Sequence, residues 1–179
     1  MKYKIKVATQ YQGTAKSLEK YLQKYPPAEI LEEITGCQWD KDIEIEHKNL
    51  GEAANFSGYK FFFSFRQPVD YMWICVCHEL AHLILREKIQ WKKNNRTSEF
   101  LKLVKSYRTP VMKNNFAYAY EQTMAILLQA GCEKKIERRP LHWSAWEKTF
   151  LAMDVAELGK RLWPQFKKFF NTNIDGRGY

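Results

Sequence analysis

Residues 78–82 read His-Glu-Leu-Ala-His, and here residue type and spacing together suit chemistry on a metal. On an α-helix, positions four apart share a face, with Cβ atoms about 5–6 Å apart. Two imidazoles so placed can converge on one ion, each nitrogen about 2.0–2.1 Å from zinc. Glu79 sits one residue round from His78, beside such an ion rather than on it. A carboxylate there can take a proton from an activated water. The chain has four histidines, and this pair uses two of them. The competing reading is a pair of structural histidines with Glu79 as an incidental charge. A buried, unpaired carboxylate is costly, so that reading needs other partners for Glu79.

A catalytic zinc takes three protein ligands and leaves one position open. The extended HExxHxxGxxH pattern would supply a third histidine, but Leu85 and Lys88 stand where its glycine and histidine would be. The third ligand must come from elsewhere, and Glu121 is the expected one. It lies in the run Phe116-Ala-Tyr-Ala-Tyr-Glu-Gln-Thr-Met-Ala-Ile-Leu-Leu128, with no other charged residue between Lys113 and Glu133. On a helix its same-face neighbours are Ala117, Tyr118, Met124 and Ala125, and a carboxylate on such a face wants a cation. An ion pair with Arg or Lys would also satisfy it. Glu99 is the rival ligand, although its place near a helix start suits an acidic residue anyway. A developing oxyanion needs a second donor beside the metal. Tyr118, Tyr120 and His142 are the candidates, with His142 preferred because it lies in a loop just ahead of a helix. His47, on the apolar face of a strand, is expected to be structural.

With Glu121 added, the motif resembles the gluzincin branch of zinc metallopeptidases. The resemblance spans roughly residues 59–130. It implies His78, His82 and Glu121 as ligands of one Zn²⁺ per chain, Glu79 as catalytic base, and the strand at 59–66 as a wall of the substrate cleft. The chain departs from thermolysin-like members at Ala125, where they often carry an aspartate that orients a histidine. Small size and a late glutamate helix give a weaker likeness to the ImmA/IrrE-like regulatory peptidases.

The elements that must position these residues are legible in part. Met1–Val7 alternates apolar and lysine residues, the pattern of a half-buried strand. Helical spacing of Ala15, Leu18, Leu22 and Tyr25 predicts a helix over 14–25, stopped by Pro26-Pro27. A short helix follows over 27–35, proline at its start and Gly36 past its end. Residues 43–50 and 59–66 read as two further strands, expected to pair as a loop-linked hairpin. Residues 71–87 form a helix apolar nearly all round, hence buried. Further helices are expected over 97–107, over 115–130 with Gly131 closing it, and from Ser144, where Ser144-Ala-Trp-Glu147 is a capping box. The expected fold is α+β and zincin-like: a small N-terminal sheet packed on a central HExxH helix, with a mostly helical C-terminal half. It is read as one domain over 1–179: a mixed upper lobe (1–69), a helical part carrying both motif helices (70–170) and a frayed tail (171–179).

Composition narrows the class. With 45% hydrophobic and 15% aromatic residues, the chain can bury a core and is not a disordered segment. No run reaches the roughly 18 apolar residues of a membrane span, and no secretory h-region stands at the start, so a cytoplasmic protein is expected. Four cysteines, none in a CxxC pair, read as buried reduced thiols rather than a disulfide scaffold or a zinc knuckle. The net charge of +9 is concentrated late, in Lys92, Lys93, Arg96, Lys102, Lys105, Arg108, Lys113, Lys134, Lys135, Arg138 and Arg139. Such a surface either keeps the protein soluble or attracts an acidic partner or nucleic acid. The expected function is therefore hydrolysis of a peptide or protein substrate with zinc. The alternatives are a non-catalytic zinc module acting through its basic face, and a zinc hydrolase of a non-peptide amide.

Overall fold

The computed structural model describes residues 1–51, 54–88, 125, 126, 128, 129, 131–133, 135 and 136. Within them the chain runs β1 (Tyr3–Lys6), a 3-10 turn (Thr9–Tyr11), α1 (Gln12–Lys24), α2 (Pro27–Thr35), β2 (Ile43–His47), β3 (Ala54–Ser57), β4 (Lys60–Phe63) and α3 (Val69–Leu83). A π turn, Ile84–Lys88, continues α3. The architecture is mixed α+β, with one sheet of order β1-β2-β4-β3.

The hairpin expected between the strands at 43–50 and 59–66 does not form. β2 and β4 are parallel neighbours, Ile45 opposite Phe61, and β1 is parallel to β2 on the other side. The hairpin joins β3 to β4 instead, with Phe56 opposite Phe61. Residues 54–57 explain the difference. Ala54 and Phe56 are half-buried while Asn55 and Ser57 are exposed, so this short segment alternates as a strand. Gly58, at φ 57°, then supplies the positive φ that a tight hairpin turn favours. α2 starts and stops at the residues expected: Gly36 takes the left-handed conformation at φ 72°, and its amide donates to the Glu32 carbonyl at 2.7 Å.

One face of the sheet is apolar. Ile43, Ile45, Phe61 and Phe63 are buried on it, and α3 packs against β3, β4, α1 and α2. Every residue of α3 from Met72 to Leu83 is buried, as its all-round apolar pattern requires. The sheet therefore acts as a floor that holds the motif helix in the interior.

The opposite face carries a ladder of charge. Lys4 pairs with Asp42 at 2.9 Å, and Lys6 and Lys60 flank Glu44 at 2.6 Å each. Lys60 also reaches Glu46 at 3.1 Å. The ammonium of Lys6, then that of Lys60, pulls the Glu44 carboxyl down to about 2. Lys4 holds Asp42 below its ordinary value in the same way. A depressed folded-state pKa contributes stability above the unfolded value that is lost as pH falls through the folded one. The urea midpoint is thus expected to drop between about pH 4.5 and pH 2. Lys6→Met/Lys60→Met should flatten that drop; an unchanged slope would show that the ladder does not couple to folding.

Further along, Ala125, Ile126, Leu128, Gln129, residues 131–133 and Lys135 are helical. Gly131 does not close this helix: it is itself helical and buried. A mid-helix glycine costs about 1 kcal/mol relative to alanine. Burying Leu128 and Cys132, both fully enclosed, outweighs it, since a buried leucine alone is worth about 1.5–3 kcal/mol. The helices expected over 97–107 and from Ser144, and residues 115–124 of the helix expected over 115–130, lie outside the described residues. Among the described residues, no helix is long and apolar enough to cross a membrane.

Candidate metal centre

α3 carries His78, Glu79 and His82 in its last two turns, which the sheet and α1 hold inside the protein. The two imidazole rings lie 4.8 Å apart between centroids, with planes at 82°. Their Nε2 atoms face each other at 3.2 Å. Two nitrogens each about 2.0–2.1 Å from a tetrahedral ion stand about 3.3–3.4 Å apart, so this is close to the spacing of a chelating pair. His78 and His82 are 7% and 3% exposed, so both rings lie inside the protein. Two imidazole nitrogens at this distance match two of the three protein ligands that a catalytic zinc takes.

The ring nitrogen of His78 that points away from His82 is also held. Its Nδ1 lies 3.0 Å from Gln129 Oε1, and Gln129 Nε2 donates to Glu133 Oε1 at 2.8 Å. Glu133 is fully buried. His82 is packed on its ring face by Phe56, which comes across from β3 to stack at 5.7 Å and 20°. The Arg86 guanidinium, one turn past His82, lies 4.6 Å from the centre of the same Phe56 ring. Glu79 is 3% exposed. Burial pushes the Cys75 thiol up, and the Glu79 carboxylate nearby pushes it the same way. Burial also raises Cys77, helped by its neighbour Cys132. Both cysteines are thereby kept as neutral thiols, and all four cysteines are free.

No protein-family model, curated protein or solved structure matches the chain. The site's own atoms therefore carry its functional reading. Among the described residues, no group of three His, Cys, Asp or Glu side chains is placed to hold an ion. The expected third ligand, Glu121, lies outside the described residues, as do Glu99, Tyr118, Tyr120 and His142. Most of the basic run does too; Lys135 is described and is ion-paired with Glu33.

His47 is structural, as its strand position suggests. Its Nδ1 accepts the Phe65 amide at 3.1 Å, and its ring lies 4.3 Å from that of Tyr11. Three residues around the histidine pair were not expected from the sequence: Phe56, Gln129 and Glu133. Gln129 and Glu133 had a legible signal, two polar residues four apart beside Ala125, Leu128 and Cys132. Phe56 sits in a strand too short for alternation to announce it.

Proposed function

We propose that this chain is a zinc-dependent metallohydrolase of zincin-like fold that cleaves peptide amide bonds. The observation that carries the reading is the 3.2 Å approach of the His78 and His82 Nε2 atoms on one face of a buried helix. In this reading His78 and His82 hold the ion, and Glu121 completes its protein ligands. Zinc, when bound, supplies an activated water near neutral pH and polarises a carbonyl.

The chain's own residues do the rest. Glu79 accepts the water's proton and later delivers it to the leaving amine. Its enclosure keeps bulk water from competing for that proton. A second oxyanion donor is expected from Tyr118, Tyr120 or His142. The peptide substrate is supported by β3, one of the sheet's two edge strands among the described residues. Its Phe56 packs on His82, so an edge strand lies next to the histidine pair, and an extended peptide can add to such a strand by backbone hydrogen bonds.

Zinc analysis with a peptide-pool assay tests this. The purified protein should carry about one zinc per chain, the single-site expectation. Chelation should abolish cleavage of quenched fluorogenic peptides, and added zinc should restore it. A chain that takes up no zinc, or that cleaves equally well in excess chelator, overturns the proposal. Salt-sensitive DNA binding that ignores chelators would point to the basic-face module instead.

A further inference from the structure

We infer that Gln129 is the positioning residue for His78, and that the Gln129–Glu133 pair sets which nitrogen of that imidazole is bare. This rests on the metal reading only for its consequence; the ring state itself is a property of the metal-free protein. The inference follows from which atoms can donate. Glu133, fully buried, offers carboxylate oxygens that accept hydrogen bonds. Its Oε1 lies 2.8 Å from the Gln129 amide nitrogen, so the NH₂ end of the amide turns toward Glu133. The carbonyl end is thereby aimed at His78 Nδ1, 3.0 Å away. A carbonyl oxygen only accepts, so Nδ1 carries the proton. In a neutral imidazole the other nitrogen is then bare, and that nitrogen is the Nε2 facing His82 at 3.2 Å.

The arrangement has the logic of an outer partner that fixes a metal-binding histidine, with an amide in the place a carboxylate often takes. The amide has one advantage here. A carboxylate at 129 would stand against Glu133 in a dry interior, where two like charges are costly. Glutamine instead offers a donor to Glu133 and an acceptor to His78, so the buried charge on one side orients the ring on the other. Ala125, four residues before Gln129, has no polar side chain to do this. Gln129, one helical turn later, makes the contact.

Two measurements on the same samples test this. The first is the tautomer of His78 in metal-free protein at neutral pH, read from long-range ¹H–¹⁵N imidazole spectra. The wild type should show the Nδ1–H form, and Gln129→Met should lose that preference. The second is zinc affinity by chelator competition, which should fall about 10–100-fold in Gln129→Met, the usual cost of losing such a partner. Gln129→Glu should also bind weakly, whereas Gln129→Glu/Glu133→Gln should recover, because it restores an acceptor toward His78 and a donor behind it. A merely structural role would not be rescued by exchanging the two chemistries. An Nε2–H form in the wild type, or a tautomer unchanged in Gln129→Met, overturns the inference. If Gln129→Met does not fold, the wild-type tautomer and the double exchange still decide it. Absence of zinc binding with the Nδ1–H form intact overturns the metal reading alone.

Discussion

Under the proposed function, Glu79→Gln is expected to bind zinc as the wild type does and to lose hydrolysis by about 10²–10⁴-fold, the usual contribution of a positioned general base. The substitution isolates one property. Glutamine matches glutamate in volume, so a side chain only 3% exposed can be replaced without opening a cavity. What disappears is the capacity to accept a proton. The ion should stay, because His78 and His82 offer their nitrogens on the same face of α3 whether or not residue 79 is charged. Metal content and turnover of a fluorogenic peptide, measured on one preparation, therefore separate two roles. Turnover near the wild-type level rejects Glu79 as the base. Loss of zinc with loss of turnover makes Glu79 part of the metal's support rather than the proton acceptor. Substrate affinity should change little, since the carboxylate acts on the water and not on the peptide.

How far this site could be read from the chain depends on whether local or distant contacts fix each part. The histidine pair was legible because a helix converts a spacing of four into a shared face, and an all-round apolar run announces that the helix is buried. Pro27 and Gly36 were legible for an equally local reason: each restricts or frees its own φ. The strand order was not, because pairing joins residues far apart in sequence. Nothing within residues 43–66 says that β4 will take β2 as a parallel neighbour. The segment that decides it, 54–57, is too short for its alternation to stand out. The role of Gln129 is not legible in the sequence because its importance lies in which ring it meets, a contact across 51 positions. Gly131 misled because glycine's role as a helix terminator is a tendency of the backbone, and burial of Leu128 and Cys132 outweighed it.

Trp73→Ala is expected to lower the unfolding free energy by about 3–5 kcal/mol. That is a large part of the roughly 5–15 kcal/mol that stabilises a typical domain. Trp73 is fully buried and among the largest enclosed side chains. Its indole N–H donates to the Tyr25 carbonyl at 2.7 Å, where α1 ends. Its ring meets Tyr21 edge-on at 6.2 Å. The residue thus ties α1 to α3 at a point five residues ahead of His78. Alanine would remove the ring, leave a cavity and free the Tyr25 carbonyl. Trp73→Phe refills most of the volume and loses the donor, so its cost should be smaller, about 1–3 kcal/mol. Urea unfolding with chelator and with zinc connects this packing to the site. A ligand that binds only the folded state adds about 2.7 kcal/mol at a free concentration one hundred times its dissociation constant. Trp73→Phe should gain the same increment from zinc as the wild type, because α3 keeps its seat. Trp73→Ala should gain less, because α3 can shift into the cavity and carry the two imidazoles off their common point. A loss below about 1 kcal/mol for Trp73→Ala would be far short of what deleting an enclosed tryptophan costs. It would mean that the indole does not hold the motif helix in place.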